Sequence, residues 1–306
     1  PVAPGSDSTK AHRQGVELPE PLDQREFYLL REVHMRQGIH FISGLPRSGS
    51  TLLAGILRQN PRFHAGMTSP VGAMYQALEQ SMSRRSDTAV FIGQQQRREI
   101  LAGLFTNYYF DVHSTKLVFD TNRLWSAKLP ALTQLFPDSR IICCVRDVSW
   151  IMDSIERLVR QNAFEPSGMF GFVSKGTVFS RIGAVASSDG LVGYALDALK
   201  DGFFGEQAPS MILVEYNALV SEPTRSLQAI YEFIGEPWFN HDFDNVEYNA
   251  DEYDLALGAP GLHTIRRKVE LIVRETVLPP ELVQRFANDM FWRNPQANPR
   301  EVRIIG

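Results

Sequence analysis

A glycine-rich stretch over residues 44–51 carries the clearest chemical signal in the sequence. Its glycines, Gly44 and Gly49, let the backbone curl close to an anion without a Cβ atom in the way. Its one cation is Arg47. Three hydroxyl side chains complete the stretch: Ser48, Ser50 and Thr51. This combination of backbone freedom, positive charge and hydroxyl donors predicts an anion-binding loop.

The segments on either side of this loop predict a strand and a helix. The apolar run over residues 38–42 reads as a short buried strand, and residues 51–60 have a helical pattern that ends at Pro61. A helix that starts directly after such a loop aims its unpaired backbone N–H groups at the bound anion. The layout therefore supports binding of a phosphate-like group.

The loop nearly fits the P-loop of enzymes that bind nucleoside triphosphates, G-x-x-x-x-G-K-[ST]. Thr51 stands where the Ser/Thr belongs, but Ser50 occupies the lysine position, and Arg47 lies three residues earlier. In kinases and hydrolases that lysine contacts the β- and γ-phosphates. A kinase or nucleotide hydrolase stays open as an alternative, as does a non-catalytic nucleotide-binding module.

The same stretch resembles the 5′-phosphosulfate loop of sulfotransferases that use 3′-phosphoadenosine 5′-phosphosulfate (PAPS), which reads G-x-P-[RK]-S-G-[ST]-T. The resemblance implies that the chain moves a sulfuryl group from PAPS to a hydroxyl or amine, by in-line displacement and without a metal. It implies a catalytic role for Arg47, as the charge that stabilises the leaving 5′-phosphate. The residues implied to bind the donor here are Pro46, Arg47, Ser48, Gly49, Ser50 and Thr51.

A second anion site is predicted after the strand-like run over residues 140–145. Arg146 comes at the end of this run, and Ser154 follows eight residues later, about two helical turns along. Ligands of open parallel sheets sit beyond the carboxyl ends of the strands, so the two side chains could grip one phosphate. This pair resembles the 3′-phosphate site of the same sulfotransferases.

The resemblance extends to two more places and covers roughly residues 38–235. Tyr216, after the strand-like residues 211–214, matches a tyrosine that lies beside the adenine. In the family a C-terminal segment folds back over the 3′-phosphoadenosine. The candidates for that contact are Arg266 and Lys268, with Thr264 as a further one. A core role for Tyr216 and a solvated basic turn over residues 261–268 stay open as alternatives.

The catalytic base does not carry over from the family, because the segments that supply it differ here. Asp120 is the predicted base, since it ends a strand on the ligand side, and His64 and His113 are the alternatives. Asp120 could instead be a structural hydrogen-bond acceptor that fixes the loop after it. The acceptor substrate stays open among a glycan, a lipid, a metabolite and a peptidyl tyrosine.

The composition restricts the kinds of partner that the protein can bind. The 306 residues carry 31 Lys and Arg against 35 Asp and Glu, a net charge of −4, so no global basic field attracts nucleic acid. No apolar run reaches the length of a membrane span. The adjacent Cys143 and Cys144 read as buried thiols, which favours a cytoplasmic location. A homodimer stays open.

Alternating strand and helix patterns predict an α/β fold of the P-loop-like type, with three layers and a central parallel sheet flanked by helices. We expect a flexible arm over residues 1–20 and one domain with insertions over 21–306. Because the chain begins at Pro1, removal of an upstream segment stays open.

Residues 162–188 lack periodicity and suggest a lid or an acceptor-binding segment. Residues 61–70 read as a loop, and 87–110 and 280–292 as single helices.

Overall fold

The computed structural model describes residues 38–83, 86–164 and 176–306. The predicted arm over 1–20 and the middle of the predicted lid segment, residues 165–175, lie outside these ranges. The end of that segment, which showed no clean period, contains a nine-residue helix, Val178–Ala186.

Six parallel strands form one central sheet in the order β2-β3-β1-β4-β5-β6. The strands are β1 Ile39–Gly44, β2 Phe63–Ala65, β3 Leu117–Thr121, β4 Ile141–Val145, β5 Met211–Glu215 and β6 Arg303–Ile305. All residues of β1, β3, β4 and β5 are buried, as expected for parallel strands covered on both faces. The predicted α/β fold with a central parallel sheet is confirmed.

Helices cover both faces of the sheet. They are α1 Ser50–Leu57, α2 Val71–Ser81, α3 Gln94–Tyr108, α4 Phe110–His113, α5 Leu129–Leu135, α6 Val148–Gln161, α7 Val178–Ala186, α8 Leu191–Phe204, α9 Tyr216–Ser221, α10 Pro223–Ile234, α11 Asp251–Ala256 and α12 Pro280–Arg285. Short 3₁₀ turns occupy Asp87–Phe91, Arg123–Lys128, Ala208–Ser210, Phe291–Arg293 and Pro295–Ala297. In the described ranges, no helix is long and apolar enough to cross a membrane.

The alternation of side chains along each strand divides the core into two clusters. Cys143 packs in the cluster that includes residues of α6 and α8, and Cys144 packs in the cluster that includes residues of α1 and α10. Neighbouring residues on a strand point to opposite faces, so adjacent thiols end up in different layers. Both cysteines are free and fully buried.

Several predicted boundaries were wrong. The helix expected over residues 87–110 is divided into a 3₁₀ turn, α3 and the start of α4, and the one expected over 280–292 ends as α12 at Arg285. β2 was expected to be loop, and β6 was not anticipated. Both are edge strands of three residues, too short for a period of two to stand out, and neighbouring strands define them.

Buried carboxylates attach the C-terminal part of the chain to α6 and to the end of β5. Asp153 of α6 accepts from the Val277 N–H at 2.7 Å and pairs with Arg274 at 2.8 Å. Glu215 at the end of β5 pairs with Arg293 at 2.7 Å. Burial alone would raise the pKa of Asp153, but its hydrogen bonds and the Arg274 charge hold the pKa below its usual range.

The end of β1 approaches β4 too closely for any side chain. Gly44 is paired with Cys144 and has φ of +101°, and a Cβ atom on it would lie 2.2 Å from the Cys144 carbonyl oxygen. The next N–H, that of Leu45, donates to the same oxygen at 2.9 Å. Gly44 therefore fixes where the strand stops and the loop begins.

We expect Gly44→Ala to lower the free energy of unfolding by about 3 kcal/mol or more, because the new methyl overlaps the backbone of β4. Gly235→Ala is the matched control, since Gly235 also has positive φ, +74°, but no atom lies within 4 Å of its Cβ position. The control should lose only about 1 kcal/mol. Equal losses in urea unfolding would show that conformation alone, and not contact with β4, requires Gly44.

Candidate functional site

The loop after β1 is held against β4 by the side chain of Ser48. This hydroxyl is fully buried and lies within hydrogen-bond reach of the carbonyl oxygens of Leu45 and of Cys144, the latter at 2.8 Å. The hydroxyl is thus engaged within the loop. Ser48 can contact an anion through its backbone N–H.

The start of α1 presents backbone donors on the outer side of the loop. Gly49 is the N-cap residue in the left-handed conformation, and no side chain caps the helix. The first N–H with a helical partner is that of Leu53, which donates to the Gly49 carbonyl at 2.9 Å. The half-buried Ser50 and Thr51 occupy the first turn. Free N–H groups at such a position favour a bound anion.

Arg47 reaches from the loop to α6. Its Nε donates to the Ser154 Oγ at 3.0 Å, across 107 positions of the sequence. Arg47 is also one of two non-glycine residues with positive φ, +57°, in the described ranges. The sequence grouped Ser154 with Arg146, whereas the structure places its hydroxyl against Arg47.

Arg146, at the end of β4, lies directly beside Arg47. Its Nη1 donates to the Arg47 carbonyl oxygen at 3.3 Å, and its guanidinium carbon lies 4.2 Å from the centre of the Tyr216 ring. A Cβ on Gly49 would be 3.0 Å from Tyr216 Cδ2, so that ring also borders the loop. The predicted loop, Arg146, Ser154 and Tyr216 therefore meet in one place.

The two arginines concentrate positive charge in a partly buried position. Burial, and then the charge of Arg146, lower the pKa of Arg47 to about 10. Burial also lowers the pKa of Arg146. At a pKa of about 10, Arg47 remains protonated at neutral pH. Within the described ranges neither forms an ion pair with a carboxylate, so the arrangement suits an anionic ligand.

A C-terminal segment over residues 260–268 runs from α6 to α1. The Pro260 carbonyl accepts from Asn162 Nδ2 at 3.2 Å at the end of α6, and a Cβ on Gly55 of α1 would lie 3.2 Å from Ile265 Cδ1. The three predicted contact residues here are all exposed: Thr264, Arg266 and Lys268. Lys268 lies 3.7 Å from an oxygen of Asp244.

The same segment holds a histidine–carboxylate pair that sequence reasoning missed. His263 Nδ1 lies 2.5 Å from Oδ1 of Asp254, a buried residue of α11. Burial is the largest effect on the pKa of His263 and lowers it; Asp254 raises it, and the charges of Arg47 and Arg123 lower it further. The sequence offered the histidine within a basic cluster, but gave no signal for its partner nine residues earlier.

Asp120, the predicted base, is enclosed. It is fully buried, and its carboxylate accepts from three donors: Ser69 Oγ at 2.6 Å, Tyr109 OH at 2.6 Å and Trp125 Nε1 at 2.8 Å. This environment fits the structural role that the sequence left open better than it fits a base. Of the alternatives, His64 meets the Tyr109 ring edge to face, with ring centres 5.7 Å apart, and His113 is buried.

No group of three or more His, Cys, Asp and Glu side chains in the described ranges has the geometry to hold a metal ion.

Comparison with known proteins identifies a family. The family model described as "Sulfotransferase family" matches residues 40–240. Among solved structures, a sulfotransferase domain from the curacin biosynthetic pathway is 16% identical with a TM-score of 0.48, over 81% of this chain and 89% of that one. A sulfotransferase domain of a Synechococcus olefin synthase is 18% identical with a TM-score of 0.43, over 82% and 94%. A sulfotransferase from Mycobacterium avium is 14% identical with a TM-score of 0.44, over 92% and 82%.

A structural role for Asp120 predicts that Asp120→Asn destabilises the fold. The amide has one acceptor oxygen where the carboxylate has two, so at least one of the three donors loses its acceptor, at a cost of about 1–3 kcal/mol. Asp111→Asn, an exposed position nine residues earlier in the chain, is the control and should stay within about 0.5 kcal/mol of wild type. Urea unfolding measures both. An Asp120→Asn protein as stable as wild type would contradict the structural role.

Proposed function

Because the chain belongs to the sulfotransferase family, we propose that it transfers a sulfuryl group from PAPS to a hydroxyl or amine of an acceptor. The observation that carries the proposal is the pair of adjacent arginines, Arg47 and Arg146. They lie at the carboxyl ends of neighbouring strands without a carboxylate partner among the described residues. That is where ligands of parallel α/β sheets bind.

PAPS would contact the positively charged site at two points. The loop N–H groups, Arg47 and the first-turn hydroxyls of Ser50 and Thr51 face the 5′-phosphosulfate, and Pro46, Ser48 and Gly49 hold the loop in shape. Arg146, with the Ser154 hydroxyl, takes the 3′-phosphate. Ser154 now bonds Arg47 at 3.0 Å, so a bound phosphate would share or replace this contact.

The adenosine end of the donor would lie near Tyr216. One face of this ring carries Arg146 and one edge borders the loop at Gly49, so the adenine would use the opposite face. Thr264, Arg266 and Lys268 are exposed on a segment that packs on α1. We assign them to the 3′-phosphoadenosine as part of the proposal, with Lys268 exchanging Asp244 for the ligand.

The transfer itself needs little covalent work from the protein. The acceptor atom bonds to sulfur while the bond from sulfur to the 5′-phosphate oxygen breaks, and the electron pair stays on the departing 3′-phosphoadenosine 5′-phosphate. Arg47 and the loop N–H groups stabilise the charge that develops there. These residues supply the positive charge themselves, so the proposed reaction requires no metal. The acceptor gives its proton to a base.

The competing functions make different demands on the loop. A kinase or nucleotide hydrolase uses a lysine at the position of Ser50 to contact the β- and γ-phosphates. A non-catalytic module would bind the donor nucleotide but never turn it over.

The acceptor stays open among glycan, lipid, metabolite and peptidyl tyrosine, and a screen with labelled PAPS and mass spectrometry would identify it. The free thiols of Cys143 and Cys144 support a reducing, cytoplasmic location as part of the proposal.

Arg47→Ala should lower turnover of PAPS by about 10²-fold or more, the effect of removing one preorganised charge-stabilising donor. Radiolabelled PAPS consumption measures it. Arg225→Ala is the control, because Arg225 is an exposed cation that pairs with Glu222 at 2.8 Å, far along the chain from the loop. Normal turnover in the Arg47 variant, with the control also normal, would remove Arg47 from the mechanism.

The protein should bind 3′-phosphoadenosine 5′-phosphate more tightly than AMP, since only the former carries the 3′-phosphate proposed for Arg146. Calorimetry with both ligands decides this, and Arg146→Ala should reduce the difference. Hydrogen bonds to charged groups contribute about 1.5–3 kcal/mol, so the preference should be at least about tenfold. Equal affinities would show that no 3′-phosphate grip exists. Tight binding of ATP with Mg²⁺ in the same experiment would favour the kinase instead.

A further inference from the structure

The pair formed by Asp254 and His263 is oriented for proton transfer. Asp254 is 1% exposed; one of its oxygens accepts the backbone N–H of His263 at 2.8 Å, and the other lies 2.5 Å from the His263 ring Nδ1. The two carboxylate oxygens of Asp254 therefore hold His263 at its backbone and at its ring. These contacts fix the position and the rotation of the imidazole.

The contacts also fix which ring nitrogen is a base. An ionised carboxylate accepts hydrogen bonds only, so Nδ1 carries the proton in neutral His263 and Nε2 carries the lone pair. No group in the described ranges forms a hydrogen bond with Nε2. The His263 side chain is 18% exposed, which leaves it accessible to a substrate while most of the ring is enclosed.

The fold places this imidazole beside the anion site. His263 belongs to the segment that is attached to the end of α6 at Asn162 and packs on α1 at Gly55. α1 begins at the loop that carries Arg47, and Gly55 lies in its second turn, whereas Asn162 lies at the end of α6 that is far from Arg146. The charge of Arg47 is close enough to lower the pKa of His263, and the charge of Asp254 acts on Arg47 in turn.

Charged and titratable groups reach the imidazole from three elements. Asp254 contacts it from α11, Arg47 acts from the loop after β1, and Arg123 acts from the turn after β3. The neighbouring Tyr253 ring lies 5.7 Å away, centre to centre. Burial and the two cations outweigh Asp254, so the pKa of His263 lies below its usual range. The ring is therefore neutral at pH 7 and able to accept a proton.

We propose that His263 is the general base of the sulfuryl transfer and that Asp254 is its positioning residue. The assignment rests on the function proposed above. His263 Nε2 takes the proton of the acceptor hydroxyl or amine as the new bond to sulfur forms. The bond to the 5′-phosphate breaks in the same displacement, and its electron pair leaves with 3′-phosphoadenosine 5′-phosphate. The resulting imidazolium is stabilised by the adjacent Asp254 carboxylate.

Hydrolysis of PAPS, with water as the acceptor, tests this role without knowledge of the natural acceptor. His263→Asn should hydrolyse radiolabelled PAPS at least about 10²-fold more slowly than wild type, while calorimetry shows unchanged affinity for 3′-phosphoadenosine 5′-phosphate. His64→Asn is the comparison variant for the rival histidine. Wild-type hydrolysis by His263→Asn would overturn the assignment, and so would a comparable loss in His64→Asn alone.

The dependence on pH separates a base from a structural histidine. Wild-type hydrolysis should fall as pH drops through the pKa of His263, below the usual value of about 6.5. Asp254→Asn removes the group that raises this pKa, so the acid limb should move to lower pH. An acid limb that stays in place in Asp254→Asn would contradict the pairing.

Nuclear magnetic resonance of the wild-type protein adds a measurement that does not depend on any variant folding. The ¹⁵N signals of the His263 ring should show the Nδ1-protonated tautomer at pH 7 and titrate with the same midpoint as hydrolysis. The opposite tautomer would overturn the proposal. A wild-type protein that fails to bind 3′-phosphoadenosine 5′-phosphate would overturn the donor assignment first, and the base with it. If the wild-type protein binds 3′-phosphoadenosine 5′-phosphate and His263→Asn hydrolyses PAPS at the wild-type rate, only the assignment of the base is wrong.

Discussion

The close approach of β1 to β4 is the constraint on which the site depends. Gly44 lies so near the Cys144 carbonyl that no side chain fits between them, and the same carbonyl accepts from Leu45 and Ser48. This contact directs the loop so that Arg47 leaves the backbone beside the end of β4. Two cations that would repel each other in isolation are then held side by side, joined by the bond from Arg146 to the Arg47 carbonyl.

The acidic residues near this edge of the sheet are engaged elsewhere, and that leaves the arginine pair to a ligand. Asp153 pairs with Arg274, and Glu215 pairs with Arg293. Asp254 contacts His263, and Asp120 accepts from three neutral donors. The first two pairs attach the C-terminal part of the chain to the end of the sheet, so the same carboxylates that build the fold are unavailable to neutralise the site.

Burial distinguishes the candidate bases more clearly than residue type does. Asp120 sits at the end of β3, where a sequence-based argument expects chemistry, but its carboxylate is enclosed by donors and has no exposed surface. His263 comes from a segment far along the chain, keeps part of its ring accessible and lies within the electrostatic reach of Arg47. A base must reach the proton that it removes, and Asp120 lacks accessible surface.

The sequence by itself determined the local elements: the glycines, cation and hydroxyls of the loop over 44–51, the apolar runs that became β1, β3, β4 and β5, and the helices α6, α8 and α10. These follow from short-range periodicity and backbone freedom, which neighbouring residues carry. Only the tertiary structure decided which distant side chains meet. It placed Ser154 on Arg47, enclosed Asp120, added the edge strands β2 and β6, and paired Asp254 with His263. Such contacts are set by the packing of whole elements, and no local pattern of residues encodes them.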